Sequence, residues 1–143
     1  MTSKPVHILL VDDDDVDAEA VSRTFRQTMT QHEISKATNG LEAIKMLRGD
    51  AGYNRVPRPY VILLDISMPC MNGHEFLGTI REDDELKNSI VFMLTNSSNP
   101  HDIARAYNAH VSGYILKEKM GEGGKELATM MHLFQNLVEF PCA

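Results

Sequence analysis

Five side chains of complementary chemistry close short aliphatic runs in this sequence. Asp12 and Asp13 follow VHILLV, Asp65 follows YVILL, Thr95 ends IVFMLT and Lys117 follows SGYIL. Each has a plain structural use on its own, because a strand-end aspartate turns the chain or caps a helix, threonine is common in strands, and a lysine is solvated. Together they make a chemical set. Three carboxylates brought face to face raise one another's cost of ionisation unless a cation lies between them. A hard, oxygen-preferring divalent ion such as Mg²⁺ suits such donors. Once their charge is neutralised, one carboxylate can act as a nucleophile toward phosphorus, while a lysine and a hydroxyl complete a cradle for the phosphoryl oxygens.

The elements that could bring these residues together are legible in the apolar pattern. VHILLV (Val6–Val11), YVILL (Tyr60–Leu64) and IVFMLT (Ile90–Thr95) are continuous rather than alternating, which predicts strands buried on both faces. EISKA (Glu33–Ala37) and SGYIL (Ser112–Leu116) are weaker runs that bring the strands to five. Helical periodicity lies between them. Ala18, Val21, Phe25 and Met29 share one face from about Val16, and Leu41, Ile44 and Leu47 share another after an Asn39/Glu42 pair that resembles a capping box. A third helix runs from about Gly73 through Phe76, Leu77 and Ile80. Asn99 and Pro100 start a fourth, and Leu127, Met130, Phe134 and Leu137 stripe a fifth that ends before Pro141. This β-α alternation implies an α/β fold, a doubly wound five-stranded parallel sheet with five helices and right-handed crossovers. Ligands in such sheets sit at the carboxyl ends of the strands, where the five residues gather. The Pro- and Gly-bearing stretch Arg48–Pro59 reads as a surface loop.

Length and charge narrow the function. The 143 residues fit a single domain, 1–143, and the net charge of −6, with 14 Lys+Arg against 20 Asp+Glu, makes nucleic acid a poor partner. The apolar run before the aspartates is too short for a signal peptide and no later run approaches a membrane span, so a cytoplasmic protein is expected. Cys70 and Cys142 fit neither a disulfide framework nor a zinc set, and are read as reduced thiols.

The stretches LLVDDDD, VILLDISMPCMNG, VFMLTNSS and GYILK together resemble the receiver domain of two-component response regulators, with the flavodoxin-like strand order 2-1-3-4-5. The resemblance implies that Asp65 is the phosphoacceptor for a sensor histidine kinase or a histidine phosphotransfer protein. It implies that Asp12, Asp13, Asp65 and the backbone carbonyl of Ser67 hold Mg²⁺, and that Thr95, Tyr114 and Lys117 bind or respond to the phosphoryl group. Ser67 and Ser97 occupy positions that tune its lifetime, and Met68, Pro69 and Gly73 fit the turn after the acceptor. The loop before YVILLD, the segment DIARAYNAHVSGYILK and the tail HLFQNLVEFP are similar to the small regulators paired with phytochrome-type kinases. That likeness implies a light-sensing partner and homodimerisation through the fourth and fifth helices and fifth strand. No output domain follows Val138, so the expected signal passes by protein contact or onward phosphotransfer. Two positions depart from the family pattern. Glu118 stands where proline with a cis peptide is usual, leaving either a strained loop or a trans path around Lys117, and Asn96 stands where a small residue is common.

Three other readings use the same residues. Asp12 to Val16 satisfies the D-x-D-x-[TV] motif of haloacid-dehalogenase-type Mg²⁺-dependent phosphatases, although Asp15 replaces the usual Gly and Asp65 is left idle. An EF-hand loop starting at Asp13 has Asp15 and Asp17, but Ala18 stands at the glycine position and Thr24 at the bidentate glutamate. A degenerate receiver acting as a phosphorylation-independent interaction module would not need the complete acidic and basic set. Within DDDDVD, Asp12 and Asp13 are assigned to metal and either Asp14 or Asp15 to the cap of the first helix. Asp17 and Glu19 then fall near its first turn, where the dipole favours negative charge.

Overall fold

The computed structural model of this chain describes residues 6–28 and 33–141. Its elements alternate as β1 (His7–Val11), α1 (Asp15–Thr28), β2 (Ile34–Ala37), α2 (Gly40–Arg48), β3 (Tyr60–Leu64), α3 (Gly73–Arg81), β4 (Ile90–Thr95), α4 (Pro100–Asn108), β5 (Gly113–Leu116) and α5 (Lys125–Leu137). The strands form one parallel sheet in the order β2-β1-β3-β4-β5. Register aligns their carboxyl ends: Val11 lies opposite both Ala37 and Leu64, Leu64 opposite Met93, and Thr95 opposite Leu116.

Alternate residues of each buried run serve opposite layers. Leu9, Val11, Ile62, Leu64, Val91 and Met93 pack toward Ile44, Leu47, Phe76, Leu77 and Ile80 of α2 and α3. Ile8, Leu10, Val61, Leu63, Phe92 and Leu94 face Val21 and Phe25 of α1 and Leu127 and Met131 of α5. Burying a side chain of this size contributes about 1.5–3 kcal/mol, so continuous strands are what two layers of helices require.

The helix ends follow local chemistry. Asn72 and Glu75 form a full capping box at α3, and Asn99 caps α4 with Pro100 in its first turn. At α2 the Asn39 side chain accepts from the Glu42 amide, but the Glu42 carboxylate turns to the Thr38 amide at 2.8 Å, so the reciprocal arm reaches one residue further back. Two apolar stripes are rotated from expectation. Leu41 is 46% exposed and Ala43 takes its place beside Ile44 and Leu47; Leu137 is 81% exposed, while Leu127, Ala128, Met131 and Gln135 form the buried face of α5. Met29 lies outside the described residues. The 48–59 loop is fastened by Arg48 to Asp83, Arg55 to Glu85 at 3.0 Å and Arg58 to the Glu85 carbonyl at 2.7 Å, with Val56 buried beneath it.

Candidate functional site

The carboxyl ends of β1 and β3 place Asp12, Asp13 and Asp65 so that one oxygen of each lies within 4.8 Å of the others. Asp12 and Asp65 are buried and Asp13 faces solvent, so the trio opens on one side. Local backbone bonds aim the two buried groups. Asp12 Oδ1 accepts from the Asp14 amide at 2.9 Å, and Asp65 Oδ1 accepts from the Ile66 amide at 2.7 Å. Burial pushes the Asp12 carboxyl up, against the lowering effect of Lys117, and the Asp65 charge adds to the rise. Lys117 comes from the far side of the sheet edge. Its Nζ lies 2.7 Å from Asp12 Oδ2, 3.3 Å from Asp17 Oδ2 and 3.4 Å from Asp65 Oδ2. Burial works against its charge, yet the pairing with Asp12, Asp65 and Asp17 outweighs it and holds the ammonium above the ordinary lysine value.

This donor set fits a hard divalent ion. It offers only oxygens, it converges, and a cation of this protein already lies against two of its members.

The β3–α3 loop explains how Asp65 is held. The Gly73 amide donates to the Ile66 carbonyl at 2.9 Å, and a Cβ on Gly73 would lie 2.4 Å from the Asp65 carbonyl oxygen. Only glycine permits that approach. Between them Ser67 is exposed and Cys70 takes a left-handed φ of 66°. The Lys117–Glu118 junction takes the trans path. Among the described residues the sole cis bond is Arg58–Pro59; residues Lys117–Lys119 form a short 3₁₀ turn, and Lys117 still reaches the acidic trio.

Thr95 and Tyr114 meet at Ser97. The Thr95 hydroxyl accepts from the Ser97 amide at 3.4 Å, and the Tyr114 hydroxyl donates to the Ser97 carbonyl at 2.7 Å. The Ser97 hydroxyl itself donates to Asp102 Oδ2 at 2.5 Å, and the other Asp102 oxygen meets His74 Nε2 at 3.0 Å. These bonds hold the Asp102 carboxyl below the usual carboxylate range, with Ser97 the larger cause. Burial pushes the Tyr114 phenol up. Asn96 is exposed at the start of the same loop.

Sequence reasoning missed the partners Asp17, His74 and Asp102. Asp17 sits in the first turn of α1, two residues into the helix that follows the acidic run, and that nearness to Asp12 and Asp13 was the available signal. His74 offered no comparable signal. Asp14, left open with Asp15, is the cap: its Oδ1 accepts from the amides of Val16 at 3.0 Å and Asp17 at 3.1 Å. That removes the second aspartate of the phosphatase motif from the site. The proposed calcium loop is helix from Asp15 onward.

The model of the response regulator receiver domain matches residues 8–127. Response regulator Rcp1 of Synechocystis sp. is 34% identical over 118 residues, covering 82% of this chain and 80% of that protein. The crystal structure of the Mn²⁺-bound form of Rcp1 superposes with a TM-score of 0.80 at 30% identity, covering 96% of this chain and 100% of that one. The phosphorylated cyanobacterial phytochrome response regulator RcpA gives a TM-score of 0.86 at 29% identity, covering 96% and 99%. The phosphatase reading finds no support among these relatives.

Proposed function

The chain belongs to the response regulator receiver family, and from that premise we propose that Asp65 takes a phosphoryl group from the phosphohistidine of a sensor histidine kinase or a histidine phosphotransfer protein. The carrying observation is that Asp65 follows the central strand β3, with Asp12 and Asp13 after β1 on one side of it, Thr95 at the end of β4 on the other, and Lys117 Nζ 3.4 Å from its Oδ2. In the transfer an Asp65 oxygen forms a bond to phosphorus as the bond from phosphorus to the donor imidazole nitrogen breaks. The electron pair stays on that nitrogen and an aspartyl phosphate results. Mg²⁺ would be held by Asp12, Asp13, Asp65 and the Ser67 backbone carbonyl, and when bound it neutralises charge on the phosphoryl oxygens. Lys117 supplies a second positive charge from within the fold.

The switch uses groups already in contact. The Thr95 hydroxyl turns from the Ser97 amide to a phosphoryl oxygen, and Tyr114, now bonded to the Ser97 carbonyl, turns inward with it. This is a local charge change biasing a two-state segment. Ser67 and Ser97 tune the lifetime of the phosphoryl group, Ser97 with its hydroxyl committed to Asp102. The partner is read as a phytochrome-type kinase, in keeping with the similarity to Rcp1 and RcpA. Homodimerisation through α4, β5 and α5 is supported by the exposure of Tyr107 on α4 and Leu133 on α5. The chain is read as a cytoplasmic receiver domain that signals by protein contact or onward phosphotransfer.

Incubation with a radiolabelled, autophosphorylated phytochrome-type histidine kinase tests this reading. Label should move to the wild type within minutes and not to Asp65→Asn. Equal transfer to both proteins would refute the assignment of Asp65.

A further inference from the structure

Asp17 lies outside the acidic trio yet touches the same ammonium. Its carboxylate is 3.3 Å from Lys117 Nζ, whose other contacts are Asp12 at 2.7 Å and Asp65 at 3.4 Å. Asp12 and Asp65 therefore have two competing uses, as the buried donors for a divalent ion and as counter-charges for the lysine. A cation bound among Asp12, Asp13 and Asp65 draws those carboxylates away from Lys117 and repels its ammonium. The lysine side chain is only 7% exposed, so it cannot exchange the lost partners for bulk water without leaving the site. Asp17 is the one contacting carboxylate that the ion does not contest.

The backbones differ in the same sense. Asp17 is fixed in the first turn of α1, whereas the chain after Lys117 passes through a 3₁₀ turn to Gly121, Gly123 and Gly124, all at positive φ. Asp17 thus comes from regular helix, and Lys117 from the start of an irregular connection between β5 and α5. We infer that Asp17 is the positioning residue for Lys117. It takes over the ammonium when the divalent ion engages Asp12 and Asp65, which keeps the lysine at the site and eases binding of the ion. The inference rests on the receiver reading, through the metal at the acidic trio.

Calorimetric binding of Mg²⁺ to the full chain, with donors absent, tests it. Asp17→Asn should bind Mg²⁺ about threefold to tenfold more weakly than wild type, in the lower part of the coupling range for contacting groups. Asp17→Glu should recover most of the loss. In a Lys117→Met background, which removes the competing cation, the Asp17→Asn effect should shrink to less than about twofold, because only distant, screened charge remains. Wild-type affinity in Asp17→Asn, or an equal loss in both backgrounds, would overturn the role of Asp17 while leaving the metal centre standing. Absence of Mg²⁺ binding by wild type would overturn the metal centre and this inference with it. Circular dichroism of metal-free Asp17→Asn, a substitution on a partly exposed helix face, verifies that the fold is intact and keeps the single-variant result decisive.

Discussion

Residues at the site divide by what they touch. Asp12, Asp13, Asp65, Thr95 and Lys117 were legible because chemistry-bearing types follow aliphatic runs, and strands place such positions at one edge. Asp102 follows no aliphatic run; its bond to His74 depends on packing between α3 and α4 and its bond to Ser97 on the path of the loop after β4, neither of which the apolar pattern encodes. Those bonds set an acid-side prediction. The folded carboxyl lies below its ordinary value of 3.8, so its stabilising contribution is complete above that value and is lost as pH falls through the lower, folded one. Asp102→Asn should therefore melt below wild type at neutral pH, and the two thermal midpoints should converge on acidification below pH 3.8. A gap that stays constant across that range in a series of melts would remove Asp102 as the source.

At the scale of elements, the strands were readable almost to the residue, since burial on both faces leaves an unbroken apolar run. Helix faces were less so. α2 and α5 sit rotated from their most apolar stripe, Leu41 and Leu137 facing outward while small Ala43 and Ala128 let the helices approach the sheet. Connections carry the strictest demand. Gly73 begins α3 against the backbone of the acceptor loop, so Gly73→Ala should destabilise by about 1–3 kcal/mol, the usual cost of overpacking. Gly78 is on an exposed face of the same helix with no atom within 4 Å of an added Cβ, and Gly78→Ala should stabilise by about 0.5–1 kcal/mol. Urea unfolding of the pair gives both signs; two changes of the same sign would contradict the account of the α3 start.

The whole molecule has two apolar layers on one sheet and a charged edge where four strands end. Its net charge of −6 is concentrated in part at that edge, and the apposed carboxylates there create the demand for a cation that Lys117 meets in part. The α/β class and strand order follow from the alternation of elements, whereas the trans junction at Glu118 depended on how the turn after β5 packs and needed the structure to decide it. The central claim is that this edge forms an aspartyl phosphate on Asp65. A phosphate-affinity gel after incubation with Mg²⁺ and a small phosphodonor measures it directly. The account predicts a shifted, alkali-labile band for wild type that is absent from Asp65→Ala and strongly reduced in Asp12→Ala. A shifted band that persists in Asp65→Ala, or that is lost only in Asp12→Ala, would contradict it.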